Sequence, residues 1–477
     1  MKKYLLLVLF AILMVSCSKN EVQISGTLKN ASPLDRIELI NVSSASSLPI
    51  MNIGVDAKGN FSATPKIEEG GIYLITYARQ MNFIYLKKGD NIKITADATE
   101  FPRKMKILGD GEKNNEFLTQ MQSYIEDYMS KIDMQLMSKS EKEFIAAVKK
   151  IQTDVDKKIE EVKSKTKPDS EVVEWKSSEM KVTLLMIIEQ YAAMHGAATG
   201  NPNFKPSAEF TKYQDSLKGD EKKWIKTLPT YRSYLLIKNQ EGFTNFMNTL
   251  QNKEISTTEA FVKYLEGKKD IDQYTKDHLI AFVATQYDLQ PQHPRIKQVM
   301  EEVVNKSIKD SQIKKELEKV KLAIQGIEVG QKAPSVDLVN NKGEKVSLSK
   351  YEGKPSVLIF YASWNPYVSE SLTPSVKQLA TQYGGKVNLV MINLDDTEDQ
   401  FKKTEAAMFK GLKVESLYAK NGMNSETADK FGIYGFKLPS AVVIDKDGKV
   451  ASPATIGNID MQIVDALNKL SQPTAKK

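Results

Sequence analysis

The pattern of hydrophobic and polar positions changes twice along the chain, and the three segments predict three kinds of structure. Between residues 21 and 110, apolar and polar residues alternate in short runs such as Val22–Leu28, Ile37–Leu39 and Ile92–Ala96. Alternation with a period of two is typical of strands that bury one face. Turns rich in glycine and aspartate separate the runs, so we expect a small antiparallel β-sandwich.

The second segment, residues 111–325, has apolar residues at helical spacing. One amphipathic stripe ends before Pro168, and it consists of Phe144, Val148, Ile151, Val155, Ile159 and Val162. A second helix is predicted from Val172 to His195, where the pair His195-Gly196 resembles a C-terminal cap, and a third long helix from Ile296 to Ile324. The stripes could bind a partner helix, but we expect them to form the core of an all-α region.

The third segment, residues 327–472, alternates strands and helices. The run Val357–Ala362 is continuously apolar, as expected of a strand covered on both faces. Val387–Asn393 and Ser440–Ile444 are further strands, and helices are predicted over Leu372–Tyr383 and residues 397–409. Asp445 to Gly448 favours a tight hairpin after the last strand. The fold class is therefore multidomain, with a C-terminal α/β domain.

Composition and charge exclude several classes of function. The 477 residues include 67 Lys or Arg and 60 Asp or Glu, and this mild basic balance is not concentrated in any tract, so nucleic-acid binding is disfavoured. A single cysteine excludes a disulfide scaffold, a cysteine-type zinc site and an internal dithiol. His195, His278 and His293 are expected to be packing or surface residues. No metal and no cofactor are expected.

The N-terminus carries the features of an export signal. Lys2 and Lys3 precede an apolar run of 12 residues, Tyr4 to Val15, which is too short to span a bilayer and has the length of a signal-peptide core. The following Ser16-Cys17 step resembles the lipobox of bacterial lipoproteins. The resemblance implies cleavage after residue 16, acylation of Cys17 and a short tether over residues 17–20. An ordinary secretory signal is the alternative.

The predicted lipid anchor at Cys17 implies that the chain is attached to a membrane. Residues 18–20 contain no acidic run of the kind that exports some lipoproteins to the cell surface. We therefore favour the periplasmic face of the outer membrane over the cell surface. Residues 21–110 in turn resemble a domain of unknown function that precedes thioredoxin folds in Bacteroidetes-type lipoproteins, and they contain no evident catalytic constellation.

Motifs of the third segment resemble a redox family. The pair Ala333-Pro334, the turn containing Trp364 and the late pair Leu438-Pro439 occur in the order and spacing of the TlpA/ResA branch of thioredoxin-like proteins, which is also grouped with the AhpC/TSA redoxins. The resemblance implies a thioredoxin-like fold over residues 327–472. Pro374 lies one residue later than the family's helix proline.

The turn departs from the family at the residues that do the chemistry. Active relatives read Trp-Cys-x-x-Cys, and this chain reads Trp364-Asn365-Pro366-Tyr367-Val368. Asn365 stands in place of the attacking cysteine and Val368 in place of the resolving one. Disulfide exchange requires a thiolate at the first of these positions, so the resemblance implies a fold without its catalytic residues.

A substitute nucleophile is the remaining route to catalysis at this turn. Tyr361, Ser363 and Tyr367 carry hydroxyl groups, but no histidine lies nearby in sequence to activate one of them. We therefore expect no catalytic residue here.

The resemblance also implies that a recognition groove persists. Pro439 corresponds to the cis-proline of the family, and the backbone of Leu438 corresponds to the segment that pairs with an extended substrate. Trp364, Pro366 and Tyr367 would line the same groove. An alternative is that Trp364 and Pro439 serve only the fold.

Three functions follow from these observations. The leading hypothesis is an envelope lipoprotein that binds a protein or peptide as an accessory or assembly module, with a redox-inactive thioredoxin-like head on a helical stalk. The second is a thiol–disulfide oxidoreductase or peroxiredoxin-type reductase, as the family name indicates. The third is a holdase-like periplasmic chaperone.

Overall fold

The computed structural model describes residues 20–132, 134–201, 203–250, 254–290, 295–453 and 459–471. Cys17, the preceding leader and His293 lie outside these ranges, so the predictions on them stay predictions. Strands come first, helices follow, and an α/β region ends the chain, which confirms the predicted multidomain fold class. Among the described helices, none combines the length and the apolar character that crossing a bilayer requires.

Two four-stranded sheets form the N-terminal sandwich. In chain order the strands are β1 (Gln23–Lys29), β2 (Ile37–Asn41), β3 (Pro49–Ile53), β4 (Asn60–Ala63), β5 (Gly71–Tyr77), β6 (Gln80–Leu86), β7 (Asn91–Asp97) and β8 (Lys106–Gly109). The sheets have the orders β4-β1-β7-β8 and β3-β2-β5-β6. The prediction of purely antiparallel pairing is wrong at one ladder, because β1 and β7 are parallel. The chain passes through the second sheet between these strands and returns in the same direction.

The central region is helical. The helices are α1 (Glu112–Met129), α2 (Glu141–Thr166), α3 (Ser170–Thr199), α4 (Ala208–Ser216), α5 (Glu221–Thr227), α6 (Pro229–Thr249), α7 (Thr257–Glu266), α8 (Gln273–Val283), α9 (Ile296–Gln298), α10 (Asn305–Ser307) and α11 (Ser311–Gln325). The stripe predicted from Phe144 to Val162 is buried along α2. A capping box of Ser140 and Glu143 begins this helix, and it ends two residues before Pro168.

Two predicted helix boundaries are wrong. Gly196 lies inside α3, and Gly200 caps the helix in a left-handed conformation with φ of 69°. The single helix predicted from Ile296 to Ile324 is interrupted. A π-helical turn separates α9 from α10, and an extended step separates α10 from α11. The buried carboxylate of Asp277 holds that step by accepting the N–H groups of Lys309 and Asp310, both at 2.7 Å.

Both described histidines are buried packing residues. The ring centroids of His195 and Tyr191 are 4.5 Å apart, and His195 is buried. Burial lowers the pKa of His278 to about 4, so its imidazole is neutral at physiological pH.

The helices share a hydrophobic core with the second sheet. Val42, Ala45, Ile72 and Tyr85 of the sandwich belong to the same buried cluster as the apolar stripe of α2. Arg232 of α6 reinforces this join by donating to the backbone carbonyls of Val42 and Ser44. The helical region is therefore packed on the sandwich through a shared core.

A seven-stranded sheet forms the C-terminal domain. Its strands are β9 (Leu338–Asn340), β10 (Lys345–Val346), β11 (Ser356–Tyr361), β12 (Asn388–Asn393), β13 (Glu415–Tyr418), β14 (Ser440–Ile444) and β15 (Val450–Ser452), and its helices are α12 (Thr373–Tyr383), α13 (Glu398–Met408), α14 (Glu426–Phe431) and α15 (Ile459–Ser471). The order is β10-β9-β13-β12-β11-β14-β15. Separate hydrophobic clusters cover its two faces. The predicted hairpin from Asp445 to Gly448 joins β14 and β15.

A π-helical turn over Val368–Leu372 leads into α12. Such a turn contains one residue more than the α-helical equivalent.

Candidate functional site

Asn365 holds the turn after β11 against the loop before β14. Its side-chain amide donates to the carbonyl oxygen of Leu438 at 3.0 Å, and its side-chain oxygen accepts the N–H of Tyr367 at 3.0 Å. Asn365 is only 7% exposed. The position that the resemblance assigns to the attacking thiol therefore holds an amide whose two ends are both engaged in structural hydrogen bonds.

Val368 is completely buried at the start of the π-helical turn. It belongs to the cluster that packs one face of the sheet, together with Ile359 of β11 and Val376 of α12. An aliphatic side chain in this environment has no group that could resolve a mixed disulfide.

The peptide bond between Leu438 and Pro439 is cis, as the resemblance implies. Leu438 is buried, its N–H donates to the carbonyl of Gly435 at 3.4 Å, and its own carbonyl accepts from Asn365. Both backbone polar groups predicted to pair with a peptide are thus already bonded within the chain. A peptide could add here only through the second lone pair of that carbonyl or by displacing Asn365.

The hydroxyl groups considered as substitute nucleophiles are poorly suited to that task. Tyr361 is fully buried, and desolvation raises the pKa of its phenol. Ser363 donates its hydroxyl and its N–H to one oxygen of Asp395, at 2.9 and 2.6 Å. The other oxygen of Asp395 accepts from Asn393 and Thr404. Both oxygens of the Asp395 carboxylate accept structural hydrogen bonds, and these bonds anchor the turn that contains Ser363.

Trp364 is covered by a residue of the sandwich. The guanidinium carbon of Arg36 lies 4.2 Å from the centroid of the Trp364 ring. Arg36 also forms a two-pronged ion pair with Asp396, with N···O distances of 2.7 and 2.6 Å. The two charged side chains are 9% and 11% exposed. The sandwich therefore meets the thioredoxin-like domain at the corner where catalysis occurs in the redox relatives.

Backbone-directed hydrogen bonds surround this ion pair. Two hydrogen bonds join Asn52 and Asn424. The backbone N–H of Asn52 donates to the side-chain oxygen of Asn424 at 2.8 Å, and the side-chain amide of Asn424 donates to the backbone carbonyl of Asn52 at 3.0 Å. The N–H of Gly54 donates to Asp396 at 3.1 Å, and the side-chain oxygen of Asn52 accepts from Arg36 at 2.7 Å. These contacts fix strand β3 against the loops that follow β12 and β13.

Aromatic side chains remain exposed beside the covered tryptophan. Tyr367 is 63% exposed and Phe436 is 51% exposed. The ring of Phe436 stacks on that of Tyr434 with an interplanar angle of 7°. Pro366 is exposed as well, and Pro439 is half-buried. The predicted groove is therefore divided, with Trp364 and Leu438 covered and Tyr367 open to solvent.

Lys437 is a buried amine next to the cis-proline loop. Its side chain is 1% exposed, and its ammonium donates to the carbonyls of Leu322 in α11 and Gly432 after α14, both at 3.4 Å. Both carbonyls lie at helix C-termini, where the helix dipole favours a cation. Burial nevertheless lowers the pKa of Lys437 to about 7.

Sequence reasoning missed Arg36, Asp395 and Asp396. The two aspartates follow the buried strand β12 directly, and the carboxyl ends of parallel strands are where sites form in α/β sheets. That signal could have identified them. Arg36 has no comparable signal, because its partner lies 360 positions away in the chain.

The sheet, the turn after β11 and the cis-proline loop together define a thioredoxin-like domain. The model of the AhpC/TSA family matches residues 329–452. The C-terminal segment of this chain is thus a thioredoxin-like domain, as predicted, and it is similar to the AhpC/TSA family and to thiol–disulfide oxidoreductases.

Individual relatives cover the same fraction of the chain. The thioredoxin-like protein YneN of Bacillus subtilis is 29% identical over 126 residues, which are 26% of this chain and 70% of YneN. The thiol-disulfide oxidoreductase ResA of Bacillus thuringiensis is 26% identical over 146 residues, 30% of this chain and 80% of ResA. A solved thiol-disulfide oxidoreductase from Bacteroides fragilis is 24% identical with a TM-score of 0.26, covering 29% of this chain and 99% of its own.

The hydrogen bonds of Asn365 should contribute measurably to stability. Replacing Asn365 by leucine keeps a similar volume but leaves the buried Leu438 carbonyl and the partly buried Tyr367 N–H without this partner. We expect the free energy of unfolding to fall by about 1–3 kcal/mol, measured by urea denaturation. Tyr367→Ala, which removes an exposed side chain and keeps both hydrogen bonds, is the control. An Asn365→Leu variant as stable as the native chain would contradict this role.

Lys437 should make stability depend on pH. Its pKa is lower in the folded chain than its ordinary value of 10.5, so the unfolded chain binds more protons between about pH 7 and 10. The free energy of unfolding therefore rises with pH across this window. Lys437→Met should flatten that rise in thermal unfolding midpoints. Lys430→Met, at an exposed lysine of the same domain, should leave it unchanged, and an equal slope in both variants would refute the assignment.

Proposed function

We propose that this chain is a non-enzymatic envelope lipoprotein whose thioredoxin-like domain acts as a protein-binding or assembly module. The observation that carries the proposal is the replacement of both active-site cysteines by Asn365 and Val368. The first of these is bonded into the fold and the second is buried in the core.

Disulfide exchange proceeds through a covalent intermediate between a thiolate and a substrate sulfur. The sequence contains no cysteine after Cys17, so the thioredoxin-like domain cannot form that intermediate. Peroxide reduction by a redoxin needs the same nucleophile. This argument weighs against the oxidoreductase reading that the names of the relatives indicate.

The exposed aromatic residues support a binding role. Tyr367 and Phe436 present large apolar surfaces to solvent at the edge of the corner. Exposed aromatic rings of this kind are enriched at protein–protein interfaces, because they bury much area at little entropic cost. The same surface is compatible with a holdase, which would bind many unfolded clients instead of one partner.

Anchoring at the membrane is proposed through acylated Cys17. Several acyl chains on one residue hold a protein stably on a bilayer, whereas one chain binds only marginally. The periplasmic face of the outer membrane remains the favoured location.

The full chain in detergent should not reduce disulfides. With insulin as substrate and dithiothreitol, NADPH–thioredoxin reductase or glutathione as electron donor, we expect turnover equal to the blank, because no thiol is available at the corner. An engineered Asn365→Cys, Val368→Cys double variant is the control for detecting a dithiol at this site. Turnover by the native chain above the blank would overturn the proposal.

A photoreactive amino acid at position 367 should capture a defined partner in cells. Tyr367 is exposed at the corner, whereas Met194 is exposed on the helical region at 54% and serves as the control position. We expect one specific crosslinked product from position 367 only, and its loss in Cys17→Ala, which lacks the anchor. Capture of many unrelated proteins would favour a holdase, and equal capture from both positions would refute a binding site at this corner.

A further inference from the structure

The Trp364–Asp396 corner holds a guanidinium group in a complete binding geometry. Both carboxylate oxygens of Asp396 accept from the two terminal nitrogens of Arg36, and the face of the Trp364 ring lies against the same group. A two-pronged carboxylate selects the planar fork of arginine, and an aromatic face adds cation–π attraction. These are the two elements by which proteins recognise arginine side chains.

This pocket belongs to the thioredoxin-like domain, whereas its occupant belongs to the sandwich. The indole N–H of Trp364 is buried and has no hydrogen-bond partner in the closed arrangement. This N–H donor is therefore unsatisfied while Arg36 lies against the ring. Arg36 donates to the carboxylate of Asp396 and lies against the ring face of Trp364, but no group among the described residues accepts a hydrogen bond from the indole N–H.

The contact between the sandwich and the thioredoxin-like domain is polar. It includes the ion pair, the cation–π contact of Arg36 with Trp364, the Asn52–Asn424 hydrogen bonds and the Gly54 N–H, and no buried apolar cluster of described residues contains side chains of both domains. The sandwich and the helices, in contrast, share one hydrophobic core. Small polar interfaces between domains permit relative motion, whereas large apolar ones do not.

We propose that Trp364 and Asp396 form an arginine-recognition pocket, which Arg36 fills within the chain and an arginine-bearing extended segment of a partner protein fills in its place. The inference rests on the proposed binding function and names the chemistry of its partner. The inference is supported by charge complementarity, because the pocket presents a carboxylate and an aromatic face to the same guanidinium group. A lysine ammonium is a point charge that cannot make the two-pronged contact.

The test uses the full chain and two short peptides. N-acetyl-Gly-Arg-Gly-amide and its lysine counterpart are titrated into the native chain and into Arg36→Ala by isothermal calorimetry. In the native chain Arg36 competes at a high effective concentration. We expect Arg36→Ala to bind the arginine peptide about tenfold more tightly than the native chain does, and about tenfold more tightly than it binds the lysine peptide.

A second substitution shows whether the pocket itself is responsible. Adding Asp396→Asn to Arg36→Ala should abolish the preference for arginine. If circular dichroism shows Arg36→Ala to be unfolded, Arg36→Lys serves in its place, because it keeps the charge but lacks the fork. Equal affinity for the two peptides, no binding by a folded variant, or a preference that survives Asp396→Asn would overturn the proposal.

Failure of this inference is distinguishable from failure of the proposed function. If the peptides do not bind while position 367 still captures one partner, the pocket is wrong and the binding function stands. Disulfide turnover by the native chain would defeat the proposed function whatever the peptides do.

Discussion

A buried ion pair between Arg36 and Asp396 joins the thioredoxin-like domain to the sandwich. Moving two charges out of water costs several kcal/mol for each ion, and the cost is recovered only where geometry and hydrogen bonding are good. Here the carboxylate receives both prongs of the guanidinium and the Gly54 N–H. The pair therefore lies where the start of β2, strand β3, the turn at Trp364 and the segment after β12 come together.

The corner keeps the turn and the cis-proline loop of a thioredoxin-like fold, but its residues make structural contacts. In a reductase a thiolate at the first position of the turn reacts with substrate. In this chain Asn365 uses that position to join the turn to the cis-proline loop, and Asp395 pins the preceding Ser363 from the other side. These bonds stabilise a closed corner.

Local patterns predicted most elements because they report on local physics. The stripe on α2 fixes which face is buried, and the Asp445–Gly448 turn fixes a hairpin. The predictions failed where a distant group overrode the local pattern. The periodicity from Ile296 onward continues past the break between α10 and α11, but the buried carboxylate of Asp277 captures two backbone N–H groups there. Similarly, no local signal reveals that β1 pairs in parallel with β7.

The sequence by itself determined that the C-terminal domain has no thiol, since its single cysteine is Cys17. It also determined the order of the domains and the identity of the turn residues, because these depend on periodicity and short motifs. Only the tertiary structure decided that Arg36 covers Trp364 and that Leu438 is bonded to Asn365. Such contacts join residues far apart in the chain, and their energy comes from desolvation and geometry that no short stretch of sequence encodes.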